Sequence, residues 1–129
     1  MDENIYIGIL CLDFDEAKKF YIENLGFKSK FNEKTEIQSE ESRRTILLHA
    51  LALNLEIEFI APTCLEEANR IGKSGGTINL LTLPTHNIDS LKNKLENTLF
   101  FINYIETPYA SFLTVEDPMG NNICLYERA

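Results

Sequence analysis

The chain has 129 residues and a formal charge of −8, from 12 basic and 20 acidic side chains, which is room for one ordinary domain and too little for two independent cores. With 44% hydrophobic and 25% charged residues, it sits near globular averages and outside the disordered, collagenous and disulfide-scaffold classes. Its apolar runs, such as Ile9-Leu10-Cys11-Leu12 and Leu99-Phe100-Phe101-Ile102, fall far short of the ~20 residues of a membrane helix. The acidic balance repels phosphate backbones, so neither a membrane nor a nucleic acid is an expected partner.

The start Met1-Asp2-Glu3-Asn4 lacks the basic and apolar stretches of a secretory signal. Cys11, Cys64 and Cys124 are odd in number and far apart, which suits neither a disulfide framework nor a zinc-finger spacing. A cytoplasmic location is the expectation.

Residues 5 to 12 read by parity as a strand, with Ile5, Ile7, Ile9 and Cys11 on a packing face and Tyr6, Gly8, Leu10 and Leu12 on the other. Asp13-Phe14-Asp15-Glu16 supplies a helix cap with Glu at the third helical position. Ala17, Phe20, Tyr21 and Leu25 recur at helical spacing, and Gly26 stands where a left-handed terminator is expected. A strand over residues 27 to 37 follows, then a polar loop to 43 and a hairpin of strands 45 to 50 and 53 to 60. In the last of these, Leu55, Ile57 and Phe59 alternate with Glu56, Glu58 and Ile60, so one face meets a core while two carboxylates share the other.

Residues 61 to 76 carry turn-formers and a short helical patch around Leu65-Glu66-Glu67-Ala68, as a linker would. The order then restarts: a strand over 77 to 83, a helix from about Asn87 with the stripe Ile88, Leu91 and Leu95, and strands over 100 to 107, 110 to 116 and 122 to 127. One βαβββ unit over about 4 to 61 and a second over about 77 to 127 make a cryptic duplication. Neither unit can bury a sheet face alone, so the expected α+β domain has two curved half-sheets around a shared cleft, with helices outside. Ile7, Ile9, Phe20, Leu25, Ile57, Phe59, Leu91, Leu95, Ile123 and Leu125 form its expected helix-facing core.

Two motifs carry a family resemblance. Asp13 with Phe20-Tyr21 and Leu25-Gly26-Phe27 resembles the first helix of the vicinal oxygen chelate superfamily. Asp117-Pro118-Met119-Gly120-Asn121 resembles that family's turn into its last strand, with Pro presetting φ and Gly permitting a positive one. The superfamily includes glyoxalase I, bleomycin-resistance proteins and extradiol dioxygenases, and the likeness spans nearly the whole chain. It implies the half-barrel pair with a central cleft, a homodimer, and metal ligands on the first and last strand of each half.

Residue by residue, that ligand set is depleted. Tyr6 stands where many family enzymes have His, Glu58 matches the usual Glu, Leu80 or Asn79 occupies the third position, and Cys124 stands where Glu is expected. Phenol, amide and alkyl groups do not replace imidazole and carboxylate donors, so no metal and no cofactor are expected. A rearranged set of Glu58, His49 and Cys124 is the alternative, whereas His86 reads as a solvated turn residue.

Two function classes follow from the resemblance. One is metal-free binding or sequestration of a small organic molecule in the bleomycin-resistance manner. Tyr6, Leu10, Glu56, Glu58, Asn122, Cys124 and Tyr126 share cavity-facing parity and suit a flat or cationic ligand. The other is a divalent-metal-dependent lyase, isomerase or dioxygenase resembling glyoxalase I, with Glu58 as ligand or base. The missing donors favour the first.

Overall fold

The computed structural model describes residues 5–29, 44–49, 55–73 and 79–129. Among the described residues, eight strands and three helices run in the order β1 (Ile5–Leu10), α1 (Phe14–Leu25), β2 (Phe27–Ser29), β3 (Arg44–His49), β4 (Leu55–Ile60), α2 (Leu65–Ala68), β5 (Leu81–Pro84), α3 (Ile88–Leu95), β6 (Phe101–Glu106), β7 (Ala110–Glu116) and β8 (Asn122–Arg128). They form two four-stranded sheets of one pattern, β1-β4-β3-β2 and β5-β8-β7-β6. In each, the first strand pairs parallel with the last and the other pairings are antiparallel. The architecture is α+β, and its two halves repeat the expected βαβββ order.

Local chemistry sets the element ends. Asp13 accepts a hydrogen bond from the Glu16 amide at 3.0 Å, satisfying an orphan donor of the first turn of α1. Gly26 closes that helix at φ 81°, a backbone state in which a Cβ would be strained. Asn87 caps α3 through the Ser90 amide, and Glu127 of β8 accepts from the Ile88 amide at 3.0 Å, tying the helix to its sheet.

The helix-side faces of both sheets meet in one buried cluster that includes Ile9, Phe20, Leu25, Ile57, Phe59, Leu95, Ile123 and Leu125, with Ile7 and Leu91 half-buried against it. All ten expected core positions lie there. Alternation dictates this face, because residues paired across a sheet point the same way: Ile9 faces Phe59 across β1 and β4, and Leu83, Leu125 and Leu113 form a row across β5, β8 and β7.

Several boundaries moved. Of the strand expected over 77 to 83, the described part is Leu81–Pro84, and residues 74–78 lie outside the described set. The Leu80 amide still donates to the Asn122 carbonyl at 2.7 Å, so pairing begins one residue before the strand. The expected strand 27 to 37 is described only as Phe27–Ser29, and the loop 38 to 43 lies outside the described residues. No helix among the described residues is long and apolar enough to cross a membrane.

Candidate functional site

Strand register distributes the seven expected site residues over two open sheet faces, each opposite the helix side. On the first sheet, Tyr6 pairs with Glu56, Gly8 with Glu58 and Leu10 with Ile60. Leu10, Glu56 and Glu58 therefore share one face, while the Tyr6 side chain lies outside what is described. On the second sheet Cys124 lies between Thr82 and Thr114, Tyr126 between Pro84 and Phe112, and Asn122 pairs with Glu116.

The two carboxylates differ. Glu56 is fully enclosed at 0% exposure, whereas Glu58 is half-buried and is the more reachable from solvent. Gly8 beside Glu58 offers little room for a larger residue, since a Cβ there would meet Ile60 Cδ1 at 3.1 Å. Tyr126 is half-buried and the Arg128 guanidinium stands 5.4 Å from its ring centroid, a cation–π contact that leaves positive charge on the second face.

The thiol of Cys124 is buried, and desolvation raises its pKa above the ordinary value, with a Thr114 hydrogen bond opposing the rise. At the third expected ligand position, the residue of β5 in the Cys124 row is Thr82, with Leu80 one row away beside Asn122. His49 pairs with Phe27 across β2 and β3, and its side chain, the imidazole of the rearranged Glu58, His49 and Cys124 set, lies outside the described residues. His86 is exposed in the turn before α3. Among the described residues no group of three or more His, Cys, Asp or Glu side chains could hold a metal ion.

Sequence reasoning missed three members of the second face: Thr82, Phe112 and Thr114. The alternation of Phe112 and Thr114 with Leu113 and Val115 along β7 was the signal available for two of them.

It also missed what locks the halves together. Asp117, 3% exposed, accepts from the Tyr21 hydroxyl at 2.7 Å and Asn121 Nδ2 at 3.0 Å through Oδ2, and from the amides of Asn121 at 2.8 Å and Met119 at 3.0 Å through Oδ1. A buried carboxylate is tolerated when its lone pairs are filled this way. The Tyr21 ring packs edge-on against Phe27 and Phe59, and burial together with the Asp117 charge holds its phenol well above its ordinary pKa. Gly72 of the linker, at φ 80°, presses its backbone against the Met119 carbonyl so closely that no side chain fits there. The Asp-Pro-Met-Gly-Asn motif is thus a turn, as expected, and also an inter-module latch.

A cavity of about 520 Å³ lies between α1 and the β6–β7 side of the second sheet. None of the seven expected site residues lines it.

Neither family models nor curated proteins give a match to this chain. Solved structures do. UcmS2 is 22% identical over 98% of each chain, with a TM-score of 0.68. A glyoxylase/bleomycin resistance protein/dioxygenase domain from Frankia sp. EAN1pec is 13% identical over 100% of this chain and 93% of its own, with a TM-score of 0.62. The chain has the vicinal oxygen chelate fold. Also similar to it is TnmS3, an antibiotic binding protein from Streptomyces sp. CB03234, at 19% identity over 100% of this chain and 98% of its own, TM-score 0.64.

Proposed function

We propose that this protein binds a small, flat or cationic organic molecule on its open sheet faces without a metal, as a homodimer in which a second copy covers those faces. The observation that carries the reading is the donor chemistry of the two faces. One bears Glu56 and Glu58; the other bears Thr82, Thr114, a protonated Cys124 and the aromatic pair Phe112 and Tyr126. Such a surface offers one reachable carboxylate, hydroxyls and ring faces, which bind organic cations and planar groups, and too few imidazole or carboxylate donors for a first-row metal. The antibiotic binding described for TnmS3 is consistent with this use of the fold. On this reading the protein sequesters its ligand and does not transform it.

The reading is tested by calorimetric titration of wild type and Glu58→Gln with a panel of planar cationic compounds. A charge-assisted contact contributes about 1.5 to 3 kcal/mol, so Glu58→Gln should weaken binding by roughly ten- to a hundredfold while apolar stacking survives. Equal affinities, or no binding by either protein, contradict the site.

A further inference from the structure

The cavity between α1 and the second sheet belongs to neither open face. Its apolar wall is Leu99, Phe100 and Pro118, with Phe20 at its base. Phe20 and Phe100 are in ring contact, centroids 4.7 Å apart, so the wall is held by the core cluster. Leu99 lines the cavity and is 96% exposed, while its neighbour Phe100 packs against the core cluster.

The rim is acidic. Glu16 and Glu23 from α1 and Glu116 from the end of β7 are exposed around it, one helical face supplying two of them by seven-residue spacing. Lys19 is the cation in the lining, and the Lys94 ammonium nearby is held on the Glu23 carbonyl at 3.2 Å. Asp117 also borders the cavity, but its oxygens are filled by the latch. Asn24, half-buried, lines the same wall, and its Oδ1 is buried with no hydrogen-bond donor among the described residues, whereas buried polar atoms normally have a partner.

We propose that this groove is a second binding site, for an ammonium ion carrying a compact aromatic body. The volume falls within the roughly 300 to 1,000 Å³ of small-molecule sites. The apolar wall takes the body, the rim carboxylates take the charge, and the N–H donors of an ammonium meet a site rich in acceptors. A carboxylate or phosphate ligand would face three rim carboxylates against Lys19 and the Lys94 ammonium held on the Glu23 carbonyl. The site is independent of the sheet-face reading, since the two share no residue.

The test is an amide chemical-shift titration with phenethylammonium, and with phenethyl alcohol as its neutral counterpart. The expected result is saturable shifts at residues 16 to 24, 99, 100 and 116. The alcohol, and the double variant Glu23→Gln/Glu116→Gln, should each bind about threefold to tenfold more weakly, as for exposed charge contacts. Glu66→Gln, exposed on α2 and outside both the groove lining and the sheets, should bind phenethylammonium unchanged, and dispersed spectra confirm that each variant is folded. Equal binding of the alcohol, unchanged affinity in the double variant, shifts confined to β4 and β8, or no saturation overturns the proposal. Shifts confined to β4 and β8 would do so while leaving the sheet-face site standing.

Discussion

The two sheets repeat one strand order and one parity, yet their open faces differ in chemistry. The first presents Glu56 and Glu58 in successive rows, and the second presents hydroxyls, a thiol and rings beside Arg128. On the helix side the two halves are alike: Ile57 and Leu125, each on the last strand of its module, are both fully buried in the shared cluster. Burial constrains the inward faces to apolar residues of fitting volume, while the outward faces are free to diverge. A duplicated fold therefore keeps its core in common and separates its functions on the opposite side of the same strands.

Truncation of the core is the most forceful way to break that equivalence. Ile57→Ala and Leu125→Ala should each cost about 2 to 5 kcal/mol in urea unfolding, with both halves melting together because one cluster spans them. Ile105→Ala, on the second open face at 53% exposure, should stay within about 0.5 kcal/mol. Two separate transitions, or a large loss at Ile105, would show that the halves are not coupled as described.

The next effect in size concerns the latch, which joins α1 of the first module to the last turn of the second. Tyr21→Phe removes one of the four bonds to Asp117 and should cost about 1.5 to 3 kcal/mol, the range for hydrogen bonds to charged groups. Asp117→Asn should cost at least as much, because the donors around it then face a weaker acceptor. Stability unchanged in Tyr21→Phe would remove the latch from the account.

Much of this was readable from residue order alone. Both caps of α1, the stripe of α3 and the alternation of β4 follow from local chemistry and period, and they fixed the core positions. Parity also puts Leu10, Glu56 and Glu58 on one face and Asn122, Cys124 and Tyr126 on another, and the strand register keeps those groupings. What residue order does not carry is contact over long separations. The Tyr21 and Asp117 pair lies 96 positions apart, and the acidic groove is assembled from a helix in one module and a strand end in the other. The enclosure of Glu56 was hidden for the same reason, since parity gives a side chain's direction and not what covers it.

A smaller effect is expected in alkali. The Cys11 thiol is buried beside Asp13 and Asp117, and burial first, then those two charges, push its pKa up to about 12 from 9.0. The unfolded thiol releases its proton near 9 and the folded one only near 12, so the folded state binds more protons between them and stability falls as pH rises through that window. Urea midpoints measured from pH 8 to pH 11 should decline, and Cys11→Ala should flatten the decline. A midpoint that rises with pH, or a decline equally steep in Cys11→Ala, would contradict the assignment.

The reading of the open faces as a metal-free binding surface is tested most directly by the metal content of untagged protein purified without chelator, compared with Glu58→Ala. The donor set predicts far less than one first-row metal ion per chain in both proteins. One nickel, zinc, manganese or iron ion per chain in the wild type, lost in Glu58→Ala, would contradict it and return the chain to the metal-dependent enzymes of its fold.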